Sequence, residues 1–213
     1  MKKLFKKIQF CFRDLFINRK ARKKLKIDND ITILSSDCTA GCVYKDLKIK
    51  FCSPTINCYF EASDFIKFLR NLRLYLYGEF VDRSDSLHSY PLVGIRINNG
   101  EDEILLHCLH YKSVKEFIDK WVERRERINY DKIFVVMNDR NYFNKQIMQQ
   151  FDELTEYKNK VCFVHLPNKF ESAFYLPGSE NDNFVKPVMN YKHAFGVKRY
   201  YDAFNFVDWF NNG

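Results

Sequence analysis

The chain has 213 residues, 46% of them hydrophobic and 29% charged, with a formal net charge of +8. That charge is concentrated: residues 1–30 carry eleven Lys and Arg against three acids, while residues 31–213 balance 24 basic with 24 acidic side chains. A neutral body argues against a nucleic-acid binder that works through a basic surface, so no nucleic acid is expected as a partner. The sequence is read as an arm over residues 1–30 and a single domain over residues 31–213.

On a helical wheel Leu4, Phe5, Ile8, Cys11, Phe12, Leu15 and Phe16 share one arc of about 140°, with most lysines opposite and Phe10 and Ile17 as exceptions. An amphipathic basic helix of this kind lies in a membrane interface, which makes an anionic membrane surface the expected partner of residues 1–27. The alternative is that the apolar face docks on the protein's own body and leaves the lysines in water. Gln9, Arg13 and Asp14 interrupt the apolar stretch, so it does not read as a secretory signal. No run of 18 apolar residues occurs, so nothing is expected to span a bilayer. Seven cysteines at irregular spacing argue against a disulfide framework and for a reducing compartment. A cytoplasmic protein, peripheral on the inner membrane face, is expected.

The body alternates strands and helices. Residues 31–35 form a buried-type strand, and residues 62–77 a helix with Phe65, Phe68, Leu69, Leu72 and Leu76 on one face. Residues 91–97 and 104–111 are strands joined by a turn at Asn98-Asn99-Gly100-Glu101. Residues 113–127 are a helix with Ser113 and Glu116 as a capping box and Phe117, Ile118, Trp121 and Val122 as its buried stripe. Residues 132–137 are an apolar strand, 144–154 a helix, 161–166 another strand, and 204–210 a short helix in an otherwise irregular aromatic tail. The predicted class is α/β: three layers, a mixed and mostly parallel sheet covered by helices, with the hairpin as an antiparallel edge.

Ligands of such sheets sit outside the carboxyl ends of the strands. That rule points to residues 35–41, 110–113 and 138–140. In Ser35-Ser36-Asp37-Cys38-Thr39-Ala40-Gly41, amides and hydroxyls suit a phosphate, and Cys38 is a nucleophile if a base lies nearby; a tight structural turn is the alternative. The loop lacks both glycine-rich nucleotide-binding patterns. Cys38, Cys42, Cys52 and Cys58 lack zinc-type spacing and read as buried thiols, so no metal ligands are assigned. His107 and His110, three apart on a strand, point to opposite faces, and His110 at the strand end is the better site residue. Arg124 and Arg127, one helical turn apart, either present guanidinium groups to a phosphate or complement the helix dipole. Asp139, in Asn138-Asp139-Arg140, holds a divalent cation, acts as a base or caps the next helix.

Several segments together resemble a bacterial family labelled exopolysaccharide or capsular polysaccharide biosynthesis proteins. The resemblance rests on Ser35-Ser36-Asp37-Cys38 with Gly41 and Tyr44, Ser53-Pro54-Thr55-Ile56-Asn57 after Phe51, and residues 64–69. His110-Tyr111, Trp121 with Arg124, the run Arg127-Ile128-Asn129-Tyr130-Asp131, the strand 133–137 with Asp139-Arg140, and Lys160-Val161 complete it. It covers residues 31–165 and excludes the arm. In its first loop the chain departs, carrying Ser36-Asp37-Cys38 and Ala40-Gly41 where the family has Asn-Asn-Cys followed by a glycine pair. The resemblance implies work in cell-surface polysaccharide synthesis: a transferase, glycosyltransferase-like, for a nucleotide-sugar or lipid-linked sugar phosphate, or a non-catalytic adaptor of a synthesis complex. In the first case His110, Asp139, Asp37 and Cys38 are the expected catalytic residues. Ser36, Ser53, Asn57, Tyr111, Arg124, Arg127 and Arg140 then bind substrate, and a divalent cation is the cofactor considered.

Overall fold

Eight strands form two four-stranded sheets in a computed structural model that describes residues 2–27 and 30–213, with the backbone alone for residues 2, 3, 4 and 6. The wheel positions of Leu4 and of the three lysines at 2, 3 and 6 therefore lie outside the described side chains. The first sheet is parallel throughout, in the order β1 (Thr32–Ser35), β6 (Ile133–Asn138), β7 (Asn159–Val164), β8 (Ala173–Tyr175). The second is antiparallel, in the order β2 (Tyr59–Phe60), β5 (Asp102–His107), β4 (Leu92–Ile97), β3 (Glu79–Asp82). The α/β class and the parallel strands match the expectation. The hairpin at Asn98-Asn99-Gly100 also forms, but it founds a sheet of its own and is not an edge of the parallel one.

Alternation along each parallel strand explains why that sheet is buried on both sides. Phe134 and Val136 of β6, with Ile33 of β1 and Phe163 of β7, enter one apolar cluster. This cluster is completed by α3 (Thr39–Leu47) through Val43 and Tyr44 and by α8 (Phe206–Asn212) through Val207 and Phe210. Val135 and Met137 face the other way, with Leu34, Cys162 and Val164, into a larger cluster. There α4 (Ala62–Arg70) supplies Phe65, Phe68 and Leu69, and α7 (Lys145–Asp152) supplies Met148 and Phe151. Val93, Ile95, Ile104 and Leu106 of the second sheet close the same cluster, so helices are packed between the two sheets.

Helix ends follow local chemistry. Ser113 accepts the Glu116 amide to start α6 (Val114–Arg125), and Asn144 accepts the Ile147 amide to start α7. Glu116 reaches the amide of Lys112 and leaves that of Ser113, so the predicted capping box is displaced by one residue. Val122, expected in the stripe of α6, is exposed, whereas Arg124 is buried. The single helix expected over residues 62–77 breaks at Asn71, whose φ of −125° leaves the helical region, and resumes as α5 (Leu72–Leu76).

The amino-terminal helix docks on the body. It runs as α1 (Lys2–Arg13), one π turn (Asp14–Asn18) and α2 (Arg19–Lys24). The π turn spaces Arg13 and Asn18 so that both reach one carboxylate: Arg13 Nε donates to Asp46 at 2.9 Å and Asn18 Nδ2 at 3.2 Å. Arg13 also grips Asp202 with two nitrogens, at 2.6 and 2.7 Å. Gln9 donates to the carbonyl of Gly196, and Arg22 to that of Asp46. The helix is thus held through its polar side, the reverse of the apolar docking weighed from the sequence. Among the described residues no helix is long and apolar enough to cross a membrane.

Candidate functional site in a cleft at the strand ends

Where β6 ends, the chain enters a cleft of about 800 Å³ between the carboxyl edge of the parallel sheet and the second sheet. Asp139 and Arg140 line one wall, and Tyr59 with His107 line the other. Asp139 is buried, and its carboxylate is fully engaged. One oxygen accepts the Val185 amide at 2.7 Å; the other accepts the amide of His165 at 2.7 Å and meets His165 Nδ1 at 2.5 Å. With its oxygens committed to hydrogen-bond donors, Asp139 fits an orienting role better than the cation-holding one. Among the described residues no group of three or more His, Cys, Asp or Glu is placed to hold a metal ion.

An Asp–His pair of this kind fixes the tautomer. If the carboxylate accepts a hydrogen bond from Nδ1–H, Nε2 keeps its lone pair and faces away as a hydrogen-bond acceptor or base. A second such pair lines the cleft itself: His88 Nδ1 lies 2.9 Å from Asp85. Arg140 commits one N–H to the carbonyl of Val185 at 2.7 Å and sits 4.6 Å over the Phe184 ring. The guanidinium has four more donors for an incoming anion.

On the opposite wall the Tyr59 and His107 rings stack at 4.2 Å, and Tyr90 links them with contacts to Tyr59 at 3.2 Å and His107 Nδ1 at 3.4 Å. His107 Nε2 is buried without a hydrogen-bond partner among the described residues. Burial and the neighbouring His88 hold the His107 pKa down to about 4, so the ring is neutral at physiological pH. The backbone is strained at the cleft mouth, where Asn141 and Tyr142 have φ of 56° and 63° in the left-handed region. Tyr142 is almost fully exposed there.

The remaining predicted residues gather in two other places. Asp37 lies buried between β1 and α3: one carboxylate oxygen accepts the Thr39 amide and hydroxyl, and the other accepts Asn138 Nδ2 at 2.8 Å. It starts α3 and ties β1 to β6. Residues 39–47, read from the sequence as part of a loop and an unassigned stretch, are helix. Cys38 has its thiol against the Cys58 carbonyl, and burial, reinforced by Asp37, pushes its pKa well up, which disfavours a thiolate nucleophile. Ser36 is buried, its backbone bonded to Val136 and Phe60.

The second group clasps the segment before β2. Tyr111 donates to the Ile56 carbonyl at 2.7 Å, Arg124 donates to the Tyr111 hydroxyl at 2.8 Å, and Arg127 donates to the Phe51 carbonyl at 3.3 Å. Ser53 bonds the hydroxyl of Thr55, and Asn57 takes a φ of 67° and accepts the His110 amide. Arg124 and Arg127 are thus engaged with this segment, away from the cleft walls that Asp139 and Arg140 line. His110 is exposed beside the same segment. The cleft instead carries His107 and His88, and Asp139 selects His165. Of these, His165 was not singled out from the sequence, although it lies near the carboxyl end of the strand read at residues 161–166 and the strand-end rule could have reached it. His88 lies in a connection with no periodic signal.

Comparison with known proteins gives matches that span most of the chain. An uncharacterised protein of Haemophilus influenzae is 35% identical over 198 residues, 92% of this chain and 91% of that protein. The family model described as a domain of unknown function, DUF1919, matches residues 8–211. The match starts inside the amino-terminal helix. By that match the chain belongs to the DUF1919 family.

Proposed function

We propose that the protein acts in cell-surface polysaccharide biosynthesis, as a transferase that binds a nucleotide-sugar or lipid-linked sugar phosphate in the cleft beside Asp139. The observation that carries this reading is that Asp139 and Arg140 at the end of β6 line the cleft, with His165, outside that lining and 21% exposed, held on the Asp139 carboxylate. His165, oriented by Asp139, takes the proton of an acceptor hydroxyl through Nε2, and Arg140 meets phosphate oxygens. Tyr59 and Tyr142 offer apolar ring faces to a sugar, and Glu61 offers a carboxylate to its hydroxyls. The same proposal has the protein working in the cytoplasm, peripheral on the inner membrane face. Seven cysteines at irregular spacing support a reducing compartment.

The test is thermal stabilisation of the purified full chain by a panel of nucleotide sugars, repeated with Arg140→Ala and His165→Gln. Saturable stabilisation that weakens in Arg140→Ala, with polymer production in the host lost in His165→Gln, is the expected result. No stabilisation across the panel and undiminished polymer in both variants would overturn it. The second reading, a non-catalytic membrane-associated adaptor, is favoured by one observation, the exposed aromatic face of α1. It predicts that His165→Gln leaves polymer production intact while loss of that face abolishes it.

A further inference from the structure

The amino-terminal helix turns to solvent the side that a soluble protein ordinarily buries. Phe5, Ile8, Phe12, Leu15 and Phe16 are each 38–55% exposed, although every one of them lies in the α1 helix or the π turn that follows it, which pack on the body. The Phe12 and Phe16 rings stack at 6.2 Å, and Phe195, from the far end of the chain and 87% exposed, packs edge-on against Phe5 at 5.4 Å. The patch is therefore built by both termini and is not a property of the arm alone. It faces outward because the opposite side is occupied by the ion pairs of Arg13 with Asp46 and Asp202.

Two features say what covers this patch. Lys7, Arg19, Lys20 and Lys23 of the same amino-terminal segment are exposed, and among its described side chains Arg13 and Arg22 are the cations that ion pairs engage with acids. On the helix flank a groove of about 760 Å³ is lined by Lys7, Lys45 and Arg199. Arg199 is 8% exposed, and its Nε has no hydrogen-bond partner among the described residues. An apolar aromatic stripe on a segment with exposed cations, beside a cationic groove, matches a lipid surface bearing phosphate headgroups. A second copy of this chain is a poor occupant, because it would bring like charges together.

We propose that this surface docks on an anionic phospholipid bilayer, with the stripe in the headgroup–acyl boundary and the groove taking a lipid phosphate. This deepens the membrane location proposed above and rests on that location, but not on the cleft chemistry. The test is flotation of the full chain with vesicles of phosphatidylcholine and phosphatidylglycerol, and with phosphatidylcholine alone. The variants are Phe12→Ser/Phe16→Ser and Lys7→Glu/Lys45→Glu, all at exposed positions. The wild type is expected to float with the anionic vesicles and far less with the neutral ones. Each double variant should lower the partition coefficient at least about tenfold with an unchanged thermal midpoint. Absence of wild-type flotation, equal flotation of the variants, or self-association abolished by Phe12→Ser/Phe16→Ser in place of lipid binding would each overturn it. Nucleotide-sugar stabilisation, measured without vesicles, reports on the cleft independently.

Discussion

Two arginine–carboxylate networks in this molecule share their chemistry and differ in burial. At the junction of helix and body, Arg13 sits at 2% exposure between Asp46 and Asp202, with the Tyr201 hydroxyl 2.5 Å from Asp46. Burial alone would lower the Arg13 pKa; the Asp202 hydrogen bond and the Asp46 and Asp202 carboxylates outweigh it and raise it. On the second sheet, Arg83 and Arg96 clasp Glu103 at 2.7–2.8 Å, but these side chains are 27–40% exposed. Water competes for the second network and not for the first. Removing a partner therefore strands buried charge in one case and exposes solvated charge in the other.

The largest expected effect is that of Arg13→Met. It leaves Asp202 without its cation and Asp46 with Arg199 alone, 3.5 Å away, and should cost about 3–5 kcal/mol, read as a lower urea midpoint at unchanged slope. A loss under about 1 kcal/mol would put the two networks in the same class.

His107 extends the comparison to a buried base without a carboxylate partner. Its folded pKa of about 4 lies below the ordinary 6.5, so the folded state binds fewer protons between these values. The stability is fully present above pH 6.5 and is lost as pH falls toward 4, by about 2–3 kcal/mol. Denaturation across that window should show the loss in the wild type and a flatter profile in His107→Gln.

Glu103→Gln is expected to cost no more than about 1 kcal/mol at neutral pH, and less in high salt. The two arginines, Arg83 foremost, hold the Glu103 pKa down to about 2 from 4.5. Its contribution is therefore present above pH 4.5 and fades as pH falls through 2, a window below that of His107. A cost at neutral pH that persists in high salt would show the clasp to be better shielded than its exposure implies. The smallest effect belongs to Phe12→Ser/Phe16→Ser, within about 0.5 kcal/mol per site, because these rings bury little against the body.

Much of the strand and helix inventory was legible, because periodicity and capping are local. Ser113 and Asn144 cap where their side chains predict, and the apolar runs at β6 and β7 are strands. Short or half-exposed elements escaped: β2, β3 and β8 carry two to four residues each, too few for a pattern. Of the candidate site, Asp139 and Arg140 were reached through the strand-end rule. His107 was set aside on correct geometry, since it and His110 do part, yet it is His107 that lines the cleft.

By itself the sequence determined where charge and apolar surface lie along the chain: a cationic amphipathic helix, a neutral α/β body and a set of strand ends where ligands gather. Which face of that helix meets the body, and which histidines share a cleft with Asp139, were decided only in three dimensions. The physical reason is that burial of Arg13 depends on Asp46 and Asp202, 33 and 189 residues away. No local pattern records such a partner, and without it the polar face reads as the one left in water.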